Sequence, residues 1–133
     1  MMFNWPIRVY YEDTDSGGVV YHARYLSFME QARTEWLRSF GIEQDNLLRQ
    51  HDCLFAVRDI QIAYRKPALF NDMLQVETAL VTLKKASFVF EQTIRRQQTV
   101  LCQATVTVAC LQASTFTPQR IPSFLAEELK VEH

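Results

Sequence analysis

The segment from about Ala23 to Phe40 most constrains the fold, because it combines a helical pattern with apolar residues around most of its circumference. Apolar and aromatic residues recur there at spacings of three and four: Tyr25, Met29, Ala32, Trp36 and Phe40. Leu26, Phe28 and Leu37 widen this stripe, and Gly41 follows in the usual position for a helix C-terminus. We expect such a helix to be enclosed by other structure rather than to lie on a surface.

Four long segments after the helix alternate apolar and polar residues, the pattern that predicts strands. The last segment is the cleanest, with one face formed by Val100, Cys102, Ala104, Val106, Val108 and Cys110. Turn residues separate the segments at Asn71-Asp72, Lys84-Lys85 and Gln97-Gln98. Short connections of this kind favour antiparallel neighbours.

The segment from Ile7 to Tyr11, which Pro6 precedes, is β-branched and aromatic, and it predicts a further short strand before the helix. A curved antiparallel sheet of about five strands, wrapped around one long central helix, satisfies both patterns and is an α+β fold. A short helical turn is expected over Ile42 to Gln50, and a loosely attached one over Phe124 to Lys130. The length of 133 residues, without a linker, predicts a single domain over residues 1–133.

The net charge and the cysteines exclude several classes of function. A net charge of −1 argues against a broad surface for nucleic acid or anionic membrane. The N-terminus MMFNWPIRVYYED lacks the features of a secretory signal, and no run is long enough for membrane insertion. Cys53, Cys102 and Cys110 are odd in number and lack a CxxC spacing. These features predict a cytoplasmic protein with reduced thiols, no metal site and no cofactor.

Residues 11–22, YEDTDSGGVVYH, connect the first strand to the helix and contain two of the three glycines of the chain. Gly17 and Gly18 allow a sharp turn and a close approach of a ligand to the main chain. The helix N-terminus, where His22 stands, offers unpaired N–H groups and the positive end of the helix dipole. Together with a carboxylate from Asp13 or Asp15, these are the groups that attack on an acyl carbonyl requires.

A calcium site and purely structural roles are alternatives to a catalytic role for this loop. A calcium loop counted from Asp13 would need Glu at its twelfth position, where the chain has Arg24, so that interpretation largely fails. Turn and cap roles for Asp13 and Asp15, with glycines that shape a tight connection, explain the residues equally well. The His22 side chain is as suited to capping or packing as to proton transfer. The loop chemistry alone leaves both interpretations open.

The run from Val9 to Arg38, VYYEDTDSGGVVYHARYLSFMEQARTEWLR, resembles the signature of the hotdog-fold acyl-CoA thioesterases of the 4-hydroxybenzoyl-CoA thioesterase family. Within that family the chain is most similar to the small bacterial branch associated with the Tol-Pal cell-envelope system. The resemblance continues through YRKPALFNDMLQVET (Tyr64 to Thr78) and LKKASFVFEQ (Leu83 to Gln92), so it covers nearly the whole chain. It implies a hotdog fold, in which an antiparallel sheet wraps a long helix.

The resemblance also implies roles for individual loop residues. The catalytic carboxylate of the family is the second acid of a D-x-D-x-x-G loop, which is Asp15 here, and Asp13 is then a structural partner. The residue seven positions later, His22, gives its main-chain N–H to the thioester oxygen. The founding branch has Tyr there, so only the amide role transfers, while the envelope-associated branch implies assistance from the His side chain. Gly17 and Gly18 shape the loop beside the substrate.

Aromatic residues near the loop are implied to line the acyl pocket or to pack beside it: Tyr11, Tyr21 and Tyr25. Core packing is the simpler explanation for Tyr25. Three further aromatic residues would narrow such a pocket and favour short aliphatic or compact acyl groups: Phe28, Phe55 and Phe90. Core packing is again the default alternative for these three.

Two clusters of basic residues are candidates for binding the CoA phosphates. Lys84 and Lys85 correspond to basic positions of the family near the third and fourth strands, but a third such position is Ala86 here. Arg65 and Lys66 form the second cluster, for which a solvated turn is an equally good explanation.

The implied activity is hydrolysis of acyl-CoA to a carboxylate and free CoA, by a dimer whose sheets join edge to edge or a tetramer of two such dimers. The alternative is a non-catalytic module that binds acyl-CoA or acyl carrier protein within an envelope-related complex. The intact Asp15 favours catalysis, because binding alone does not need the acid. A dehydratase on the same fold ranks third, because such enzymes usually use a different arrangement of His and Asp.

Overall fold

The computed structural model describes residues 2–132, so Met1 and His133, the two ends of the predicted domain, lie outside the described residues. The elements are β1 (Phe3–Arg8), a 3-10 turn (Tyr11–Asp13), α1 (Arg24–Arg38), α2 (Gln44–His51), β2 (Cys53–Tyr64), β3 (Met73–Leu83), β4 (Ser87–Arg96), β5 (Thr99–Gln112), β6 (Thr117–Pro118) and α3 (Ser123–Glu132). Within residues 2–132, none of the helices has the length and apolar character needed to cross a membrane.

The strands form one antiparallel sheet in the order β1-β3-β4-β5-β2, with the short β6 beside β5. α1 packs against one face of this sheet through its buried side chains: Tyr25, Phe28, Met29, Ala32, Trp36 and Leu37. The alternation predicted for the last long strand is confirmed, because its apolar face from Cys102 to Cys110 is buried in the same core. The predicted α+β architecture, with about five strands around one long helix, is confirmed.

The first strand differs from the prediction in its position along the chain. The prediction was Ile7 to Tyr11, whereas β1 is Phe3–Arg8 and Tyr11 begins the 3-10 turn. Pro6 lies inside β1, opposite Gln75 of β3, and not before the strand. β1 is an edge strand, where a residue without an N–H group is tolerated on the outer side.

The C-terminal helix also differs, because it is not loosely attached. Leu125 and Leu129 are fully buried and belong to the main core. They are four residues apart, so they share one face of α3. In contrast, α1 is not enclosed on all sides within a single chain, because Glu30 and Gln31 are exposed.

The two ends of the sheet have different surroundings. At one end, which we call the loop end, the chain leaves β1 after Arg8 and β2 after Tyr64, and β3 begins at Met73. The N-terminus of α1 lies on this side, since Val20 of the preceding loop donates its N–H to the Ala68 carbonyl between β2 and β3. The opposite, or far, end holds the turn between β3 and β4.

Candidate active site

Residues 13–21 form a tight hairpin at the loop end, just before α1. The Tyr21 N–H donates to the Asp13 carbonyl at 2.9 Å, and the Asp15 N–H donates to the Val19 carbonyl at 2.9 Å. The turn closes with a hydrogen bond of 3.1 Å from the Gly18 N–H to the Asp15 carbonyl. Gly18 has a φ of +82°, a backbone conformation that residues other than glycine adopt only with strain. We call residues 13, 14, 20 and 21 the base of the hairpin and residues 15–19 its tip.

Asp13 is a buried and fully engaged carboxylate at the base of the hairpin. Its side chain is 4% exposed. One carboxylate oxygen accepts a hydrogen bond of 2.6 Å from Nε of Arg24, in the first turn of α1. The other oxygen accepts one of 2.8 Å from the Tyr10 N–H. These contacts join the chain before the hairpin to the helix after it, which is a structural use of the acid.

Asp15 lies at the tip and is exposed. Its Oδ1 accepts a hydrogen bond of 2.8 Å from the Gly17 N–H. A Cβ atom at position 17 would lie 3.2 Å from that oxygen, closer than most such contacts, so glycine leaves room for the carboxylate. Within residues 2–132 this is the only hydrogen bond of the Asp15 side chain, so Oδ2 is free to contact a substrate or a water molecule.

His22 lies in a turn two residues before α1, which begins at Arg24. The Arg24 N–H donates to the Tyr21 carbonyl at 2.8 Å, which closes this turn. The main-chain N–H of His22 has no hydrogen-bond partner within the described part of the chain. Its ring packs against Tyr21, with the ring centres 4.4 Å apart. The amide is therefore available to an anionic oxygen at the positive end of the α1 dipole.

Tyr64, the last residue of β2, supports this turn and was not identified by the sequence as a site residue. Its hydroxyl donates to the His22 carbonyl at 2.7 Å. Its ring meets the rings of His22 and Tyr25 edge-on, at 6.5 and 5.4 Å between ring centres. Burial raises the pKa of the Tyr64 hydroxyl above its ordinary value, which favours the protonated form that donates this hydrogen bond. Strand alternation was the only signal at this position, and it does not indicate a contact with the helix N-terminus.

The predicted aromatic residues occupy three different environments. Tyr11 is 73% exposed and stacks on Phe70, with 3.7 Å between ring centres. Both rings line an open surface cavity of about 450 Å³ at the loop end. Tyr21 is exposed beside His22, whereas Tyr25 is buried in the core and its hydroxyl accepts a hydrogen bond of 2.9 Å from the Ala68 N–H. Burial raises the pKa of the Tyr25 hydroxyl.

The three phenylalanines considered for the acyl pocket do not line the cavity at the loop end. Phe28 is buried in the core. Phe55 and Phe90 line a separate cavity of about 300 Å³ between α1 and the sheet.

The structure separates the two basic clusters. Arg65 and Lys66 directly follow Tyr64 at the loop end, are exposed, and donate their N–H groups to the Leu101 carbonyl. Lys84 and Lys85 lie in the turn between β3 and β4 at the far end. β3 has 11 residues between the two ends, which corresponds to a separation of roughly 33 Å. Of the two clusters, only Arg65 and Lys66 lie at the loop end of the chain, where Asp15 also lies.

Metal ligation has no support from the described residues. Among residues 2–132 no three His, Cys, Asp or Glu side chains come together as a metal site would require. The three cysteines are free and buried. The groups available for chemistry at the loop end include the Asp15 carboxylate, the exposed His22 imidazole and the unpaired main-chain N–H of His22.

The model of the thioesterase-like superfamily matches residues 9–129, which includes the hairpin and every strand from β2 to β6. The chain belongs to the thioesterase-like superfamily. Curated relatives at 42–47% identity are named acyl-CoA thioesterase or acyl-CoA thioester hydrolase, and the protein is an enzyme of this class.

Similar proteins support membership of the superfamily. The chain is 47% identical over 120 residues to the acyl-CoA thioesterase YbgC of Haemophilus influenzae, covering 90% of this chain and 88% of the relative. It is 42% identical over 130 residues to the acyl-CoA thioester hydrolase YbgC of Escherichia coli O6:H1, covering 97% and 96%. The crystal structure of a probable thioesterase from Bartonella henselae is 35% identical, with a TM-score of 0.88 and coverage of 92% and 100%. The predicted hotdog fold is confirmed by these similarities.

Proposed function

We propose that the protein hydrolyses acyl-CoA thioesters, giving a free carboxylate and CoA, with Asp15 and the His22 amide as its principal catalytic groups. The observation that carries this proposal is that one hairpin presents an exposed carboxylate, with a free oxygen, and leads directly into an unpaired amide at the N-terminus of α1. A thioester carbonyl needs a base or nucleophile for its carbon and a donor for its oxygen. The YbgC relatives, which are named for this activity, support the choice of substrate.

Asp15 can act in two ways. It can take a proton from a water molecule that attacks the thioester carbon, or its Oδ2 can attack that carbon, expel the CoA thiolate and leave a mixed anhydride for water to hydrolyse. A carboxylate with an ordinary pKa of about 3.9 is a weak base at neutral pH. Asp15 is exposed and its Oδ2 is free, so this oxygen can contact the thioester carbon directly. Direct attack is therefore the route that we favour.

His22 contributes first through its main chain. Its N–H donates to the oxyanion of the tetrahedral intermediate, together with the positive end of the α1 dipole. The exposed imidazole is a second, assisting group that can give a proton to the departing thiolate. Gly17 and Gly18 keep the tip small enough for the substrate to approach the main chain.

Substrate binding is proposed to use the loop end. Arg65 and Lys66 would meet the CoA phosphates, and the stacked rings of Tyr11 and Phe70 would contact the acyl group or the pantetheine arm. Lys84 and Lys85 can serve the same site only from another copy of the chain, because they lie at the far end. We predict that the substrate carries a short aliphatic or compact acyl group. CoA is the proposed carrier of that group, and acyl carrier protein is a second candidate.

The proposal extends to the assembly and the location of the protein. β2 has no neighbour on its outer side within the described chain, so it is available for joining two sheets edge to edge in a dimer or in a tetramer of two dimers. Three buried free thiols fit the reducing cytoplasm. A link to the Tol-Pal system is proposed on the resemblance alone.

The first test uses a panel of acyl-CoAs with a thiol reagent that reports free CoA. We expect thiol release, fastest for one class of acyl group, and the ranking of acyl groups identifies the preferred substrate. Binding of acyl-CoA without thiol release would instead support the alternative function, a non-catalytic module. Single-turnover hydrolysis in ¹⁸O-water then separates the two routes. Label in the Asp15 carboxylate is expected for the anhydride, and an unlabelled Asp15 would leave the general-base route.

A further inference from the structure

The second half of the hairpin pairs with another segment, the chain between β2 and β3, which we call the β2–β3 connection (residues 65–72). The Val20 N–H donates to the Ala68 carbonyl at 2.9 Å. Val19 and Leu69 face each other in an antiparallel bridge. Val20 and Ala68 are buried, so this pairing is shielded from water. The two valines therefore lie between the segment that bears the tip carboxylate and the β2–β3 connection.

One ion pair holds the β2–β3 connection at three points. Nη1 of Arg96, the last residue of β4, donates to Oδ2 of Asp72 at 2.6 Å and to the Pro67 carbonyl at 3.2 Å. The same Oδ2 accepts a hydrogen bond of 2.9 Å from the Leu69 N–H. The side chains of Arg96 and Asp72 are 32% and 20% exposed, so water competes only in part with these bonds. The pair thus fixes the connection relative to the end of β4.

The peptide groups of Ala68 join the β2–β3 connection to both parts of the candidate site. Its N–H donates to the Tyr25 hydroxyl in the first turn of α1, at 2.9 Å, whereas its carbonyl accepts the Val20 N–H of the hairpin. Asp15 lies on the hairpin side of this junction, and His22 lies where the hairpin passes into the helix. A shift of Ala68 would therefore move the carboxylate relative to the His22 amide.

We propose that Arg96 and Asp72 are positioning residues for thioester hydrolysis. Their ion pair fixes the β2–β3 connection, and the connection in turn sets the geometry between the Asp15 carboxylate and the His22 amide. The two residues act through Ala68 and do not need to touch the substrate. This inference rests on the proposed function, in which the carboxylate and the amide are the principal catalytic groups. A displacement of reacting groups by about 1 Å can lower a rate by roughly 100-fold, so even a small shift of the connection should be measurable.

Arg95 and Glu77 offer a matched comparison, because they form another ion pair one residue earlier on β4. Nε of Arg95 donates to Oε1 of Glu77 at 2.8 Å. Their side chains are 35% and 25% exposed, close to the values for Arg96 and Asp72. The Arg95 pair joins β4 to β3, whereas the Arg96 pair joins β4 to the β2–β3 connection. Loss of either pair should have a similar effect on stability, but only one should affect the site.

The first test is kinetic and uses variants that remove a charge but nearly keep the size of the side chain. We expect Arg96→Gln and Asp72→Asn each to lower kcat for acyl-CoA hydrolysis about tenfold. KM should change by less than about threefold, because the main chain of Arg65 and Lys66 is bonded to β5 and not to this ion pair. The double variant should be no slower than the slower single variant, since both changes break the same contact. Arg95→Gln should keep kcat within about twofold and lose about as much Tm as Arg96→Gln.

The second test measures the position of the hairpin without substrate. Amide hydrogen exchange at Val20 reports its bond to Ala68. Arg96→Gln should make this exchange at least about tenfold faster, and Arg95→Gln should leave it unchanged. If the unchanged chain released no CoA from any acyl-CoA, the proposed function would fail and the positioning role with it. The exchange rates would still show whether the ion pair holds the β2–β3 connection, so the two failures are distinguishable.

Three results would overturn the proposal. The first is a kcat for Arg96→Gln equal to that of Arg95→Gln. The second is faster exchange at Val20 with an unchanged kcat, which would make the ion pair purely structural. The third is a lower kcat with unchanged exchange, because the effect would then not pass through Ala68. Circular dichroism checks the fold of each variant, and Asp72→Asn, whose side-chain oxygen can still accept a hydrogen bond, decides the question if Arg96→Gln does not fold.

Discussion

The base and the tip of the hairpin hold two aspartates that are chemically identical and differ in everything that surrounds them. Asp13 at the base is buried, with both oxygens engaged by Arg24 and by the Tyr10 N–H. Asp15 at the tip is exposed, with one oxygen held by the Gly17 N–H and the other free. A carboxylate becomes structural when hydrogen bonds occupy both of its oxygens, and it can be reactive when the chain orients it but leaves one oxygen free.

Of these variants, Asp15→Asn should have the largest effect, and it should lower activity without lowering stability. The amide cannot act as a base or nucleophile, so we expect kcat for acyl-CoA hydrolysis to fall by roughly 100-fold or more. The fold should be kept, because Oδ1 of Asn can still accept from the Gly17 N–H. Steady-state kinetics and Tm measure the two quantities. Near-normal turnover would contradict the catalytic role of the tip.

Asp13→Ala should give the complementary result, with a loss of stability. The change removes two hydrogen bonds to a buried carboxylate and leaves Arg24 without its partner. We expect the free energy of unfolding to fall by roughly 2–3 kcal/mol, measured by urea denaturation. Activity should fall as well, because the base positions the tip. If Asp13→Ala were as stable as the unchanged chain, Asp13 would not have the structural role that distinguishes it from Asp15.

Tyr64→Phe extends the comparison to the turn that follows the base. It removes the hydroxyl that donates to the His22 carbonyl and keeps the ring. We expect kcat to fall about fivefold to tenfold with KM little changed, since loss of one hydrogen bond costs about 1 kcal/mol in orienting the His22 amide. Tyr10→Phe is the matched control, because Tyr10 is exposed and its hydroxyl has no hydrogen-bond partner within residues 2–132. Equal kinetics for both variants would show that the hydroxyl does not position the amide.

The two glycines of the tip should respond differently to alanine. Gly18→Ala places a side chain at a φ of +82° and should cost about 1 kcal/mol of folding stability. Gly17→Ala has no such strain, but its Cβ would lie 3.2 Å from Oδ1 of Asp15. We therefore expect Gly17→Ala to keep its Tm and to lower kcat by a few-fold, because the carboxylate must shift by a few tenths of an ångström. A larger loss of folding stability in Gly17→Ala than in Gly18→Ala would contradict the geometry of the tip.

The fold was largely predictable, because periodicity records which side of each element is buried. Val106 and its neighbours alternate so cleanly that their strand could be placed without a structure, and Tyr25 to Trp36 define the helix in the same way. Two predictions about the fold were wrong for local reasons. Pro6 suggests the start of a strand, but an edge strand tolerates proline in its interior. Leu125 and Leu129 are too few to indicate from sequence that the C-terminal helix packs into the core.

The candidate site was only partly predictable. The loop motif identified Asp15, Gly17, Gly18 and His22, which one hairpin and the following turn do contain. Tyr64 was missed because it is 42 residues away from His22, and strand alternation does not report such a contact. Lys84 and Lys85 lie apart from Asp15 because a strand of 11 residues stands between the two ends of the sheet.

Local sequence patterns are enough to specify the antiparallel sheet, the long apolar helix and the loop with two acids and two glycines before that helix. These depend on local periodicity and turn chemistry, which neighbouring residues carry. The folded chain, in contrast, sets which acid is buried, which oxygen stays free and which tyrosine supports the turn at His22. Those outcomes depend on contacts between distant segments, such as β2 with the turn before α1, whose hydrogen bonds form only when the whole sheet is folded.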